Sequence, residues 1–341
     1  MVAAEGKPRW GRRVAYGVGV VVGAIVVLLL LFAILPPSTA DLGATPSHPA
    51  RTYGDAMARV RAVKALESGV RPVCRSRLYT HGARTAQVMV LFHGLTNCPR
   101  QMLDLAQRLY ADGANVLVLR APGHGMPGDV GELGWVSATD FRDYAEGSVD
   151  IARGLGTHTT VVGLSLGGML SAWSAEQHLG VSRAVILAPA LRLGSVPAWV
   201  SDTFTNVFTR LPNINLPGDG DSVAHGYPPG TATYPTAELF LMGRRVLHEA
   251  NGPAPPTRHL DVLINDADGT VSNDAIEELV AGWRRSGRTV TLVHLPACLG
   301  LPHDVIDTAQ RGQNIALVYP VVVAMAEGTP IPRVTAARCV K

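Results

Sequence analysis

Short apolar runs recur along the chain, each closed by glycine, proline or a polar turn. Unbroken runs of this length are typical of strands that are buried on both faces of a parallel sheet. A further short run at Arg75–Tyr79 predicts an early strand. The main runs are Val88–Phe92, Val116–Leu119, Thr159–Val162, Ala184–Leu187, Leu260–Ile264 and Val290–Leu295.

Segments with helical periodicity separate most of these runs. Strands that alternate with helices predict an α/β fold, with a mostly parallel sheet and helices on both faces. Another helix, expected to pack onto the same domain, is predicted before the first strand. The predicted helices are Thr52–Leu66, Gln101–Ala111, Phe141–Leu155 and Gly168–Leu179.

One interval breaks the alternation. About seventy residues separate Leu187 from Leu260, which is too long for a simple crossover. We interpret residues 191–258, approximately, as a cap inserted over the strand ends. Its aromatic residues either line an apolar pocket or pack the cap onto the domain, and we assign none of them to substrate. They are Trp199, Phe204, Phe208, Tyr227, Tyr234 and Phe240.

The segment Val14–Leu35 carries no charge and follows four basic residues. An uncharged run of this length predicts a membrane-spanning helix, and the basic flank predicts that residues 1–13 stay in the cytoplasm. Residues 36–50 are then a linker, and residues 51–341 form an extracytoplasmic catalytic domain. The alternative is a secreted protein, because Ser38–Ala40 also suits signal-peptide cleavage.

Composition and charge disfavour some classes of function but do not identify one. Of 341 residues, 47% are hydrophobic and 17% charged, and the net charge is only +3. No basic cluster with interleaved aromatics suggests a nucleic-acid partner. No Cys/His spacing suggests zinc, and no phosphate-binding loop is present, so we expect neither a metal nor a cofactor. The oligomeric state stays open.

The stretch Gly163–Gly167 has the form G-x-S-x-G, with Ser165 at its centre. It follows a predicted strand and precedes a predicted helix, which is the context of a nucleophile elbow. The glycines avoid collisions at a strained turn that exposes the serine hydroxyl. We therefore expect Ser165 to be a catalytic nucleophile rather than part of an ordinary glycine-rich turn.

Five stretches in this order resemble the α/β-hydrolases, most closely bacterial monoacylglycerol lipases and carboxylesterases. The resemblance covers the predicted soluble domain and implies an α/β-hydrolase fold. It also implies a serine hydrolase that cleaves a carboxylic ester, such as a monoacylglycerol or another lipid-like ester, through an acyl-enzyme. The stretches are His93–Thr96, Pro122–Gly125, Gly163–Gly167, Asp268–Val271 and Pro302–Asp304.

The chain order of this fold, nucleophile, acid and then histidine, implies His303 as the base. His93, His124 and His294 are weaker candidates, the first two as residues that hold turns. Asp266 and Asp268 both follow the strand that precedes the acid. The resemblance favours Asp268, and the other aspartate then caps its own turn.

An oxyanion needs two backbone N–H donors. Leu166, directly after the nucleophile, is expected to give one. The resemblance implies Leu95, directly after His93-Gly94, for the other.

Four cysteines are present, Cys74, Cys98, Cys298 and Cys339. An exported domain can form disulfides. In the implied fold, the oxyanion loop and the histidine loop lie over the same sheet edge, so we expect a Cys98–Cys298 bridge. Cys74 and Cys339 would pair or stay free, and four cysteines allow three pairings.

Other functions of the same triad stay open. An acyltransferase passes the acyl group to an alcohol acceptor, and a serine peptidase cleaves an amide. A non-catalytic binding module is disfavoured because all three triad residue types are present.

Overall fold

A sheet of seven strands forms the centre of the described chain. The computed structural model describes residues 9–128, 130–218, 230–253, 257–335 and 339. Two further short strands form a separate hairpin in the cap. In chain order the strands are β1 (Arg77–Tyr79), β2 (Thr85–Phe92), β3 (Asn115–Val118), β4 (Gly156–Leu164), β5 (Arg183–Leu187), β6 (Asn215–Pro217), β7 (Gly230–Ala232), β8 (His259–Asn265) and β9 (Val290–Leu295).

The sheet is mostly parallel, as the sequence predicted. Its strand order is β1-β3-β2-β4-β5-β8-β9, and only β1 runs antiparallel to its neighbour. Phe92 pairs with Gly163, and Leu164 pairs with Leu187. The carboxyl ends of β2, β4 and β5 therefore meet at one edge, where the loops that follow them converge.

The helices occupy most of the predicted segments. Asn115 to Val118 and Val88 to Phe92 are buried at every position, so both faces of the sheet are covered. The helices are α1 (Arg9–Ile34), α2 (Tyr53–Ala65), α3 (Leu103–Ala111), α4 (Ala138–Leu155), α5 (Leu166–Gln177), α6 (Ala198–Phe208), α7 (Thr233–Glu249), α8 (Asn273–Arg285) and α9 (Ile315–Glu327).

Side-chain capping explains where several helices begin. Ser137 and Asp140 form a capping box at the start of α4, because each side chain accepts a hydrogen bond from the other's backbone N–H. Thr52 accepts from Asp55 N at the start of α2, and Ser272 accepts from Ala275 N at the start of α8. The boundaries of these helices are thus set by local sequence.

The cap consists of α6, the β6–β7 hairpin and α7, followed by the return to β8. Phe204 packs near Phe208 and Phe240, with ring centroids 4.7 and 6.4 Å away. Phe204 therefore contacts aromatic rings on both α6 and α7. Tyr227 lies outside the described residues.

The helix α1 contains a stretch, Val14–Ile34, that is long and apolar enough to cross a membrane. Its side chains are exposed or half-buried from residue 14 onward. A signal sequence near the N-terminus can meet the same criteria of length and composition.

The stretch after α1 lies along the catalytic domain. The Trp173 indole N–H donates to the Leu42 carbonyl at 2.8 Å, and Leu42 is buried. Thr45 N donates to Glu146 at 2.6 Å, and His48 N donates to Asp150 at 2.5 Å. Residues 42–50 are therefore fixed on α4 and α5.

The expected Cys98–Cys298 bridge is wrong. Cys74 is bonded to Cys98 with Cα atoms 5.1 Å apart, and Cys298 is bonded to Cys339 with Cα atoms 5.7 Å apart. Cys74 and Cys98 are fully buried beside Val70, whereas Cys298 lies on an exposed turn. Cys98 in the buried cluster and Cys298 on the exposed turn are therefore each bonded to another cysteine.

Candidate active site

The turn between β4 and α5 holds Ser165 in an unusual backbone conformation. Its φ is 60° and its ψ is −114°, a region that is costly for a residue with a side chain. A Cβ on Gly163 would lie 2.1 Å from Gly167 O, and one on Gly167 would lie 2.0 Å from Phe92 O. Only glycine fits at both positions, so the G-x-S-x-G pattern is a packing requirement of this turn.

The loops after β8 and β9 bring His303 against Asp268. His303 Nδ1 lies 2.5 Å from Asp268 Oδ2, and the Asp268 side chain is completely buried. The other oxygen, Oδ1, accepts from Thr270 N at 2.8 Å. This pair fixes the orientation of the imidazole ring. It also allows a protonated ring to be stabilised by the carboxylate.

Asp266, the rival aspartate, pairs elsewhere. Its Oδ1 lies 2.8 Å from His294 Nδ1, and the two side chains are 38% and 42% exposed. His294 lies on β9 near the edge of the sheet. The structure thus brings His303 to Asp268 and His294 to Asp266.

Ser165 and His303 line one cavity of about 540 Å³. The His303 Nε2 atom is buried and has no hydrogen-bond partner among the described residues. Several threonines and other polar side chains contribute to the wall, among them Asn97, Gln101, Asp304, Gln310 and Arg311. Its apolar lining includes Leu95, Leu193, Leu239, Phe240 and Val271.

The loop after β2 runs beside the serine. A Cβ on Gly94 would lie 3.8 Å from Ser165 Cβ, which is ordinary van der Waals contact, so the loop lies directly against the serine. Leu95, expected to donate to an oxyanion, follows directly. Leu166, the second expected donor, begins α5, where backbone N–H groups have no intrahelical acceptor. The structure therefore places both predicted donors next to Ser165.

His93 holds this loop from within. Ala121 N donates to His93 Nε2 at 3.1 Å, so the ring proton is on Nδ1, which donates to Gly94 O at 2.9 Å. Complete burial, together with His124 and Arg120 nearby, lowers the pKa of His93 well below its ordinary value. His93 is therefore neutral, and both of its ring nitrogens are engaged by backbone atoms rather than by Ser165.

His124 lies between two carbonyl oxygens. Its Nδ1 is 2.7 Å from Pro122 O, and its Nε2 is 2.7 Å from Leu95 O. Burial lowers its pKa to about 4 despite the favourable carbonyls. It therefore links the Pro122–Gly125 turn to the carbonyl of the expected oxyanion donor.

A family model described as the alpha/beta hydrolase family matches residues 89–329. This range includes the serine turn, both loops of the His303–Asp268 pair and most of the sheet. The chain belongs to the alpha/beta hydrolase family. The sequence-based prediction of fold and family is confirmed.

Solved structures of other hydrolases share this fold. One, from a study of LipS and LipT, two metagenome-derived lipolytic enzymes, is 20% identical with a TM-score of 0.59, covering 76% of this chain and 99% of the other. The Paleococcus ferrophilus monoacylglycerol lipase is 17% identical with a TM-score of 0.56, covering 73% and 98%. A soluble variant of Saccharomyces cerevisiae monoglyceride lipase is 12% identical with a TM-score of 0.56, covering 74% and 91%. A search of curated proteins finds no match.

In this hydrolase, hydrogen bonds join the two loops that the predicted disulfide was expected to clamp. Gln101 Oε1 accepts from Gly94 N at 2.7 Å, and Gln101 Nε2 donates to Asp304 Oδ2 at 2.6 Å. Arg100 also pairs with Asp307 at 2.8 Å. Burial raises the pKa of Asp304, while its hydrogen bonds to Gln101 and to backbone N–H groups favour the carboxylate.

The sequence analysis did not identify Gln101 as a functional residue. It lies in the same predicted helix as Leu105, one turn earlier, and both side chains are buried. A polar residue in line with the apolar face of a helix needs a buried partner. The sequence could therefore have indicated that Gln101 has a buried partner. It could not identify that partner as Asp304, which lies about two hundred residues later.

The described residues contain no group of three or more His, Cys, Asp or Glu side chains that would hold a metal ion.

Proposed function

We propose that this hydrolase cleaves carboxylic esters through an acyl-enzyme on Ser165. The Ser165 hydroxyl attacks the acyl carbonyl carbon, and His303 Nε2 takes the hydroxyl proton. His303 returns that proton to the departing alcohol, then activates the water that releases the acid. Asp268 orients His303, and the N–H groups of Leu95 and Leu166 stabilise the oxyanion.

The observation that carries this proposal is the junction of three separate chain segments. Ser165 stands at a strained turn on the wall of the cavity, and His303 reaches the same cavity while it is held by a buried Asp268. Strain and a buried carboxylate both cost stability, so their coincidence at one cavity supports a catalytic role.

An acyl chain is the substrate portion that best suits the cavity. Leucine, phenylalanine and valine side chains form one part of its lining, and polar side chains, Ser165 and His303 among them, form another part. Such a site can bury a hydrocarbon chain against the apolar residues while its ester lies beside Ser165. The lipolytic and monoacylglycerol-lipase neighbours support the same substrate class.

We further propose that α1 anchors the enzyme in the membrane, with the catalytic domain on the extracytoplasmic side. The basic residues before the apolar stretch Val14–Ile34 support this orientation. Two disulfides support an oxidising compartment.

The test uses the full chain in detergent micelles with p-nitrophenyl esters of short, medium and long acyl chains. Wild-type protein should release p-nitrophenol, and Ser165→Ala should lose activity. Ser171→Ala is a matched control, because Ser171 is a buried serine on α5 that does not line the cavity.

Release that persists in Ser165→Ala would contradict the nucleophile. If a fluorophosphonate labels Ser165 but no ester is cleaved, the substrate proposal fails and the nucleophile survives. An alcohol acceptor added to the assay distinguishes hydrolysis from acyl transfer, because transfer would form a new ester at the expense of free acid.

A further inference from the structure

The cap holds the end of the apolar helix α1. Asn206 Nδ2 on α6 donates to Ala33 O at 2.9 Å, and Arg210 Nη1 donates to Leu35 O at 2.8 Å. The Arg210 guanidinium also lies 5.4 Å from the Phe32 ring centroid. The last carbonyls of a helix have no intrahelical donors, and a cation there complements the helix dipole. The cap thus closes the end of α1.

This contact is braced from a second helix. Arg244 on α7 donates from Nη1 to Asn206 Oδ1 at 2.9 Å, which orients the Asn206 amide toward α1. Arg210 Nη1 also donates to Asn206 O at 2.7 Å. Both helices of the cap therefore take part in holding the anchor.

The segment that connects α1 to the catalytic domain is short. Leu42 is buried, and its carbonyl accepts from Trp173, only seven residues after Leu35. Seven residues span at most about 25 Å when fully extended. The catalytic domain therefore stays close to any membrane that α1 crosses.

Exposed apolar side chains lie on the part of the cap near this contact. Trp199 precedes Asn206 by two helical turns on α6, so it projects from the same helix face, and it is 69% exposed. Ile214 and Leu216 follow Arg210 closely and are also exposed. A Cβ on Gly134, the neighbour of exposed Trp135, would lie 2.8 Å from Asn213 Nδ2. We define the cap patch as Trp135, Val196, Trp199, Ile214 and Leu216.

The cap patch is continuous with the cavity. Leu216 lies on β6, and Gly218 immediately after β6 lines the cavity together with Gly230 and Thr231 of β7. One hairpin therefore has its outer side chain on the patch and its inner residues at the substrate cavity. Tryptophan at the level of lipid headgroups is a common feature of proteins at bilayers.

We propose that the cap patch lies in the headgroup layer of the leaflet from which α1 emerges, so that the acyl ester passes from this leaflet into the cavity. The inference rests on the proposed membrane anchor. It assigns to the cap a fixed orientation that an anchor with a free linker would not impose.

The test is tryptophan quenching in the full chain, reconstituted in phosphatidylcholine vesicles with lipid brominated near the top of the acyl chain. Trp10 is replaced by phenylalanine in every sample. Of the remaining tryptophans, Trp173 and Trp283 are fully buried, and Trp135 and Trp199 lie on the patch. We expect loss of about half of the emission. Trp135→Phe with Trp199→Phe should abolish the quenching.

A reporter on the opposite side supplies the control. Leu179 is highly exposed and lies near the amino ends of β4 and β5, beside His158 and Arg183. In the doubly substituted background, Leu179→Trp should stay unquenched. Quenching equal to that of the patch would overturn the proposed orientation.

Two further measurements distinguish failure of this inference from failure of the proposed membrane anchor. If carbonate washing leaves the chain in the vesicles but the patch is unquenched, the inference is wrong and the anchor survives. Patch emission that is shielded only at high protein-to-lipid ratio would show that a second copy covers it, which also overturns the inference. If the chain is washed out, anchor and inference both fail, while ester hydrolysis is judged separately.

A kinetic arm asks whether the patch serves catalysis. Trp199→Ser with Ile214→Ser should raise KM for a long-chain ester presented in vesicles by about tenfold. The kcat/KM for p-nitrophenyl acetate in solution should not change. Equal effects on both substrates, or none on the vesicle-borne ester, would count against lipid uptake through this surface.

Discussion

Two Asp–His pairs lie at neighbouring positions of this hydrolase. They make the same carboxylate–imidazole contact but differ in burial and in access to the cavity. Asp268 and Asp266 are two residues apart, and each carboxylate contacts Nδ1 of a histidine. The Asp268 side chain is completely buried and its histidine reaches the cavity, whereas Asp266 and His294 are exposed. An Asp–His contact is therefore not sufficient for a site. Burial of the carboxylate and access to a nucleophile distinguish the two pairs.

The largest difference in kcat between the two pairs should come from substituting their histidines. His303→Gln should lower kcat for a p-nitrophenyl ester on the order of 10⁶-fold, because Ser165 loses its base. His294→Gln, the matched change in the other pair, should leave kcat near wild type. Similar losses in both variants, measured on protein with native circular dichroism, would remove the proposed distinction.

The aspartates should show a smaller contrast of the same form. Asp268→Asn keeps the shape of the side chain but no longer fixes the correct tautomer, so kcat should fall on the order of 10⁴-fold. Asp266→Asn should change it little. Steady-state kinetics at saturating ester measures both, and a larger effect at Asp266 would reverse our assignment of the acid.

Part of the fold and of the candidate site could be predicted from the sequence alone. The turn around Ser165 was predictable because local sterics define it, and the mostly parallel sheet was predictable because apolar runs alternate with helical segments. His303 and Asp268 required the family's chain order, since spacing alone did not separate them from His294 and Asp266.

The errors concern contacts between distant segments. Cys98 was expected to meet Cys298, but its partner is Cys74, and Gln101 with Asp304 joins the two loops instead. Periodicity and local motifs carry no information about which buried side chains face each other across two hundred residues. The contact of Arg210 with the end of α1 was unpredictable for the same reason.

His124 gives a third case, a histidine buried between carbonyl oxygens. Its pKa is lowered from 6.5 to about 4, so between these values the unfolded chain binds more protons than the folded chain. The free energy of unfolding should therefore fall by about 3 kcal/mol from this residue as pH drops from its ordinary pKa to about 4. His93 should act in the same direction.

Urea unfolding of the detergent-solubilised chain at several pH values measures this slope. His124→Gln should flatten it, and His259→Gln, a change at an exposed histidine, should not. An equal slope in wild type and His124→Gln would show that burial of His124 does not govern the acid sensitivity.

The Gln101 link tests whether loop positioning matters to the buried pair. Gln101→Ala leaves Gly94 N–H and the Asp304 carboxylate without their partner, so kcat should fall roughly 10- to 100-fold with KM little changed. Gln177→Ala, which removes an exposed contact to Ala44 N, is the control. A loss confined to thermal stability, with kcat unchanged in the folded fraction, would mean that Gln101 only supports the fold.

The smallest effect should come from removing the exposed pair. Asp266→Asn with His294→Gln should change the free energy of unfolding by under about 1 kcal/mol, since exposed pairs are screened by solvent. Chemical denaturation at neutral pH measures it. A much larger loss would indicate that this pair shapes the loop that carries Asp268.

The most direct test of the central claim is the rate at which a fluorophosphonate modifies Ser165, followed by intact mass and peptide mapping. We predict a single modification at Ser165 in wild type, at an unchanged rate in Asp266→Asn and His294→Gln. The rate should be strongly reduced in Asp268→Asn and His303→Gln, and no modification should occur in Ser165→Ala. Modification of another residue, or equal Ser165 rates in all four pair variants, would contradict a triad of Ser165, His303 and Asp268.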